Sequence, residues 1–221
     1  MTMRERPLTL GELHAAAIGD PDASTVVVVL HGRDMSGADL APFAHSLGVP
    51  AYFIFPDAPL ATARGRSWWP VDAEARMRRI SDGPMDLSAM DPAGRADARG
   101  QLAGLLAPFA ERRCVLVGFS QGGMLAMDHV LHGGRADALV LLSSTRIAFA
   151  DWQPRLVRLA GLPMLIAHGH ADAELAFTAG EGLRDAALEG GAQVQWLPFE
   201  GGHEIPLVVW RGLRQFLRRL I

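Results

Sequence analysis

Three residues of this chain have side chains and surroundings suited to nucleophilic catalysis: Ser120, Asp172 and His203. Ser120 is the centre of Gly118-Phe119-Ser120-Gln121-Gly122, a G-x-S-x-G pattern. A serine hydroxyl is a weak nucleophile until a base takes its proton, so it needs a histidine, and the histidine needs a carboxylate to orient it. His203 stands in "EGGHEI", where two glycines after a strand leave the loop free to carry an imidazole over the serine. His129 and His132 lie on the helix that Ser120 opens and point away from it, and His168 and His170 end the apolar run "PMLIAHG". Asp172 follows two residues later, at the carboxyl end of a strand, where α/β sheets place functional groups. Each residue has a plainer reading: a helix-capping serine, a loop-capping aspartate, a solvated loop histidine. The order serine, aspartate, histidine, with all three at strand ends, is much rarer than any of these alone.

The elements that must position them follow from the pattern of apolar residues. "TVVVVLHG" (25–32) reads as a strand buried on both faces, since four valines leave no polar side. "SGADLAPFAHSLG" (36–48) reads as a helix opened by Ser36 and Asp39 and ended by Gly48. "PAYFIFPDAP" (50–59) is a second strand. Residues 60–90 show no clear period, and 70–90 reads either as a short lid or as a surface loop. Asp91-Pro92 reads as N-cap and N1 of a helix whose apolar stripe is Ala98, Leu102, Leu105, Leu106 and Phe109. Strands at 113–120, 137–144, 162–169 and 192–200 alternate with helical patterns at 121–134 and 174–189. A last helix begins near Glu204. Its stripe of Val209, Leu213, Phe216, Leu217 and Leu220 faces inward and Arg211, Arg214, Arg218 and Arg219 face out. This alternation predicts a mostly parallel sheet with helices on both faces, in a single domain spanning 1–221.

In that frame the G-x-S-x-G serine stands on a sharp turn between strand and helix. Gly118 and Gly122 leave room for the turn, and Gly123 lets the helix pack closely. The Gln121 N–H then points to where an oxyanion would form, helped by the positive end of the helix dipole. A second donor is expected from the loop after an earlier strand. The run "LHGRDMSG" places the Arg33 backbone N–H there, with His31 fixing the loop. The Arg33 guanidinium reads equally as substrate contact or as surface charge.

Composition removes other chemistries. All 21 basic residues are arginine, with no lysine and no asparagine, so there is no Schiff-base lysine, Walker A lysine or Ser-Lys dyad. A net charge of −3 gives no reason to expect a nucleic-acid partner. Cys114 is the one cysteine, in the apolar "CVLVGF", so an intramolecular disulfide is impossible and no zinc-type Cys/His spacing exists. The N-terminus lacks the apolar core of a signal peptide, and no apolar run is long enough to span a bilayer. A cytoplasmic protein is expected, with no integral membrane segment. A homodimer is the default if the chain assembles.

Together "LHGRDMSGADL", "FPDAP", "RSWWP", "GFSQGG", "HGHAD" and "GGHEI" resemble the phospholipase/carboxylesterase family of α/β-hydrolases, which includes acyl-protein thioesterases. The resemblance runs from about residue 25 to the C-terminus. It implies an α/β-hydrolase fold with a minimal cap and a Ser120–His203–Asp172 triad. It also implies an oxyanion hole from the Arg33 and Gln121 amides, and hydrolysis of small to medium acyl esters or thioesters without metal or cofactor. It further implies that Trp68 and Trp69 lie at the substrate pocket, one of them lining it, while core burial is the competing reading for the other. One departure stands out. Where the family often has an "xVP"-like stretch after the aspartate, this chain has Ala173-Glu174-Leu175-Ala176. The alternatives are a non-catalytic small-molecule binding module on the same scaffold, or a lysophospholipase or peptidase variant of it.

Overall fold

The computed structural model describes residues 6–72, 74, 76, 78 and 81–221. The first five residues and part of the arginine-rich "EARMRRI" lie outside the described residues, so the readings made there stay as they are. The described elements are β1 (Arg6–Leu10), β2 (Leu13–Ile18), β3 (Thr25–Leu30), α1 (Gly37–Leu40), α2 (Phe43–Leu47), β4 (Tyr52–Pro56), β5 (Leu60–Ala61) and β6 (Arg66–Ser67). They continue with α3 (Arg95–Leu106), β7 (Arg113–Phe119), α4 (Gln121–Leu131), β8 (Ala138–Leu142), α5 (Phe149–Trp152), β9 (Pro163–Gly169), α6 (Phe177–Glu189), β10 (Gln193–Phe199) and α7 (Leu207–Leu220).

Eight strands form one sheet in the order β1-β2-β4-β3-β7-β8-β9-β10. From β4 to β10 every pairing is parallel, while β1 and β2 form an antiparallel hairpin that joins the sheet through β4. The valine run shows why this sheet needs cover on both sides. Val26, Val28 and Leu30 pack on one face with Leu102, Leu105, Met124 and Leu183. Val27 and Val29 pack on the other with Leu40, Leu47, Val209, Leu213 and Phe216. Alternate side chains of a strand point to opposite faces, so a strand between two helical layers must be apolar throughout. One layer holds α3, α4 and α6, and the other holds α1, α2 and α7.

Four local expectations change. The hairpin of β1 and β2 was not expected, and it adds two strands to the sheet edge. The 36–48 helix is two short ones, because Pro42 cannot donate to the first and instead opens the second. The 91–92 start moves to Arg95, with Gly94 at φ +82 as N-cap. Asp91 instead pairs with the Arg95 guanidinium at 3.0 Å. Within 60–90, β5 and β6 form a small hairpin, and Met85 bridges Leu175. Among the described residues no helix is long and apolar enough to cross a membrane.

Candidate active site

The ends of β7, β9 and β10 lie side by side, and the loops leaving them bring Ser120, Asp172 and His203 into one hydrogen-bonded line. His203 Nε2 is 2.9 Å from Ser120 Oγ, and His203 Nδ1 is 2.7 Å from Asp172 Oδ2. A carboxylate only accepts, so Nδ1 carries the ring proton and Nε2 is left to accept from the serine hydroxyl. Burial alone would push the Asp172 carboxyl upward, but hydrogen bonds from His168 and His203, and the Leu175 N–H, hold it well below the usual carboxylate range. It is therefore ionised and fully able to fix the imidazole.

Ser120 takes φ +52 and ψ −117, a backbone conformation that non-glycine residues rarely adopt. Three glycines let the chain do this. Gly118 faces α4, where an added Cβ would fall among the backbone atoms of Gly122 and Gly123. A Cβ on Gly122 would land on the Leu30 carbonyl oxygen, and one on Gly123 would come within 2.8 Å of Ser144 Oγ. The helix thus starts almost against the sheet, with its first-turn amides at the serine. The Ser120 N–H is used within the fold, donating to Leu142 O at 2.8 Å. The Gln121 N–H is the next one available.

Arg33 follows β3 and lines the same pocket as Ser120, Gln121 and His203. Among the described residues its backbone N–H has no acceptor. His31 pins this loop from beneath. It is fully buried, its Nε2 accepts from Ala58 N–H at 3.0 Å, and its Nδ1 therefore donates to Gly32 O at 2.7 Å. Burial pulls its pKa down, in keeping with a neutral ring that shapes the loop. The Arg33 guanidinium pairs with Asp34 at 2.8 Å, and burial and the nearby Arg76 lower its pKa.

The pocket encloses about 480 Å³. Trp69, Phe119, Met124, Ile147 and Leu175 give it apolar walls, Met85, Leu87 and Met90 of the 70–90 excursion close one side, and Arg33, Arg64, Arg76 and Glu174 supply charge. The described part of the excursion is therefore part of the pocket wall. Its backbone is tied to the Asp172 loop, Met85 N–H donating to Glu174 O and Ala176 N–H to Met85 O, each at 2.9 Å. The tryptophans separate, and the expectation of Trp68 at the pocket is corrected. Trp68 is buried beneath it, its Nε1 donating to His31 O at 2.9 Å, its amide to Gln121 Oε1 at 2.9 Å, and its ring tilted against His31. Only Trp69 reaches the pocket lining. The Gln121 side chain is thus spent on the 67–69 loop.

Four residues near the line were not singled out from the sequence. Glu174, in the departing stretch, comes within 3.9 Å of His203 Nε2 and pairs with Arg76. His168 Nε2 lies 3.3 Å from Asp172 Oδ2. Ser144 Oγ donates to Ser120 O at 3.1 Å, and Ser143 Oγ to Glu204 O at 3.2 Å, in the loop that carries His203. For Ser143 and Ser144 the available signal was a polar Ser-Ser doublet closing the apolar run "DALVLL".

Among the described residues one group could hold a metal: Asp128, His132 and Asp151, near the far end of α4 from Ser120. Its oxygens are taken by cations, Asp128 by Arg95 at 2.6 Å and Arg99 at 2.7 Å, and Asp151 by Arg155 at 2.6 Å. Such a set is a buried ion-pair network tying α3, α4 and α5 together.

A mostly parallel eight-stranded sheet between helical layers, with a serine on a strained strand–helix turn, is the α/β-hydrolase fold. The chain belongs to the phospholipase/carboxylesterase family, whose model matches residues 16–221. A carboxylesterase from Mesorhizobium loti is 18% identical, with 97% of this chain and 98% of that one covered and a TM-score of 0.76. Esterase PE8 is 22% identical over the whole of both chains, with a TM-score of 0.76. Acyl-protein thioesterase 2 of Zea mays is 19% identical over 99% of each chain, with a TM-score of 0.74. At these identities the likeness is one of fold. A search of curated sequences finds no match.

Proposed function

We propose that this protein is a serine hydrolase that cleaves carboxylic esters or thioesters of small to medium acyl chains through an acyl-enzyme. The observation that carries the reading is the unbroken line from Ser120 Oγ through His203 to an ionised Asp172. Ser120 Oγ attacks the acyl carbonyl carbon while His203 Nε2 takes the hydroxyl proton, and Asp172 stabilises the imidazolium. The carbonyl oxygen becomes an oxyanion between the Arg33 and Gln121 amides. Losing one such donor typically costs about 3 to 4 kcal/mol of transition-state stabilisation. The bond to the leaving oxygen or sulfur then breaks, and the leaving group takes the proton from Nε2. Water next attacks the acyl-enzyme, giving its proton to Nε2, and the acid departs as Ser120 regains its proton. No step calls on a cofactor. The apolar walls, including Trp69, would receive the acyl chain.

The test is hydrolysis of p-nitrophenyl esters of two to twelve carbons alongside a palmitoyl thioester, with Ser120→Ala as control. Ser120→Ala is expected to fold normally and lose turnover. Retention of most of the activity by this variant would refute the assignment. Binding of esters by the parent without turnover would favour the binding-module reading instead.

A further inference from the structure

We propose that His168 is a positioning residue for Asp172, its Nε2–H holding the carboxylate in the orientation that meets His203; the inference rests on the hydrolase reading above. His168 is fully buried at the end of β9, four residues before Asp172. Its Nε2 lies 3.1 Å from Leu175 O and 3.3 Å from Asp172 Oδ2. The Leu175 carbonyl only accepts, so Nε2 carries the proton and shares it between the two oxygens. Leu175 N–H and Glu174 N–H donate to the other carboxylate oxygen, Oδ1, each at 2.9 Å. The carboxylate is thus held on both oxygens. Two amides fix Oδ1, and two imidazoles, from His168 and His203, meet at Oδ2. A carboxylate turned out of this plane would lose donors on both sides, in a place that solvent does not reach.

Two features show that the imidazole is kept for its Nε2–H. Among the described residues the other ring nitrogen, Nδ1, is buried without a hydrogen-bond partner, which costs stability that an apolar ring would not. The helix packed against the ring carries Gly180, where a Cβ would come within 2.5 Å of Nδ1. Glycine inside a helix is itself destabilising. An orphaned nitrogen and a helix glycine are both accepted to seat one side chain. Packing alone would be served better by phenylalanine or leucine.

The chemical consequence has a sign. A carboxylate held in line with His203 Nδ1 stabilises the His203 imidazolium more than one free to turn away, so loss of the His168 donor should weaken that stabilisation. The charged or titratable groups facing this cluster are His203, Glu174 with its partner Arg76, and His170, which faces Glu200 at 4.0 Å. From α6 the ring meets Phe177 and Gly180, which do not titrate. None of these groups is altered in the variants below.

The experiment compares the parent with His168→Phe, which keeps a ring and removes the donor, and His168→Gln, whose amide nitrogen has the reach of Nε2. Melting temperature, the pH profile of kcat/KM on a p-nitrophenyl ester, and the NMR titration of the His203 ring are measured on each. His168→Phe leaves the buried Leu175 carbonyl and one side of Asp172 Oδ2 without their donor and is expected to melt below the parent while remaining folded. Its kcat/KM should fall about ten- to a hundredfold, as for outer-shell partners of metal-ligand side chains, with the loss in kcat. Its acid limb and the His203 titration should both move to lower pH, and His168→Gln should recover most of the lost rate. Should His168→Phe not fold, Gly180→Ala displaces the ring by its Cβ and is expected to give the same shift in the acid limb. An active His168→Phe with an unmoved profile would overturn the proposal, as would a His168→Gln no better than His168→Phe. A parent that neither hydrolyses esters nor takes a fluorophosphonate on Ser120 would sink the hydrolase reading instead. The His203 titration needs no substrate and would still decide the role of His168.

Discussion

Replacing Asp172 by asparagine should cost far more than the loss of one charge, because the surroundings dictate which way the amide faces. Oδ1 accepts from the backbone N–H groups of Glu174 and Leu175, each at 2.9 Å. An asparagine must keep its oxygen there, since turning its NH₂ toward two buried donors would leave both unsatisfied at about 1 to 3 kcal/mol each. The NH₂ then occupies the Oδ2 position, 2.7 Å from His203 Nδ1. Two donors cannot meet, so His203 shifts its proton to Nε2 and presents N–H to Ser120. The ring can no longer take the serine proton. In the one triad where this change is well characterised, the wrong tautomer lowers kcat about ten-thousandfold, or about 5 kcal/mol. We expect a loss of that order for Asp172→Asn in kcat/KM on p-nitrophenyl esters, and a matching loss in the rate at which a fluorophosphonate labels Ser120. Circular dichroism should show the parent fold. A variant within tenfold of the parent, about 1.4 kcal/mol, would show that His203 does not depend on Asp172 for its tautomer, and the reasoning would fail.

The two tryptophans should respond differently. Trp68→Phe removes the donor to His31 O, and leaving that buried carbonyl unpaired should cost about 1 to 3 kcal/mol in chemical denaturation, with little change in activity per folded molecule. Trp69→Ala should instead leave the fold intact and move the preferred acyl length in the ester series. His129 should make stability depend on pH. Burial pulls its pKa from 6.5 to about 4, so the unfolded chain binds a proton that the folded ring refuses. The contribution of the neutral ring is complete above about pH 6.5 and is lost as the pH falls toward 4, amounting to about 2 kcal/mol at pH 5. Urea unfolding at pH 7 and pH 5 should show a smaller loss in His129→Leu than in the parent by about that amount, and equal losses would refute the account.

Much of the sheet could be read from the sequence because its central strands are apolar on both faces. β3, β4 and β7 to β9 each interrupt helical patterns with runs that no amphipathic helix would carry, while β10, QVQWLPF at the sheet edge, is only partly buried. The β1–β2 hairpin escaped because it does not look like a strand pair. "RPLTL" is largely exposed, and "LHAAAI" buries small alanines that favour helices when taken alone. Its strand character comes from pairing with β4, a contact distant in sequence. The break at Pro42 was legible in principle, but the apolar spacing on either side of it also fits one continuous helix. At the site, the residues in the hydrogen-bonded line could be found because their types and chain order are restrictive. Trp68 could not be placed, since a tryptophan serves a pocket wall and a core equally well until the neighbours of its N–H are known. His168, Ser143 and Ser144 were hidden for a related reason: each acts on another residue of the site, through a contact that no spacing announces.

The strain at Ser120 shows why such supporting contacts matter. A non-glycine residue at φ +52 and ψ −117 stores on the order of 1 to 3 kcal/mol, and it persists only if the neighbours leave no alternative. Here the Ser120 N–H donates to Leu142 O, and its carbonyl accepts from Gly123 N–H at 3.0 Å, Met124 N–H at 3.1 Å and Ser144 Oγ at 3.1 Å. Leu142 ends β8, a strand that supplies no member of the proposed triad, and Ser144 follows it by two residues. The residue between them, Ser143, is itself at φ +43 and ties down Glu204, next to His203. The end of β8 and the residues just after it therefore grip both the turn that carries Ser120 and the loop that carries His203. A 2.9 Å contact between two side chains 83 positions apart needs such a common anchor, because each loop alone could drift by more than the reach of a hydrogen bond. The strain at Ser120 and Ser143 is the local cost of fixing both loops to one strand end.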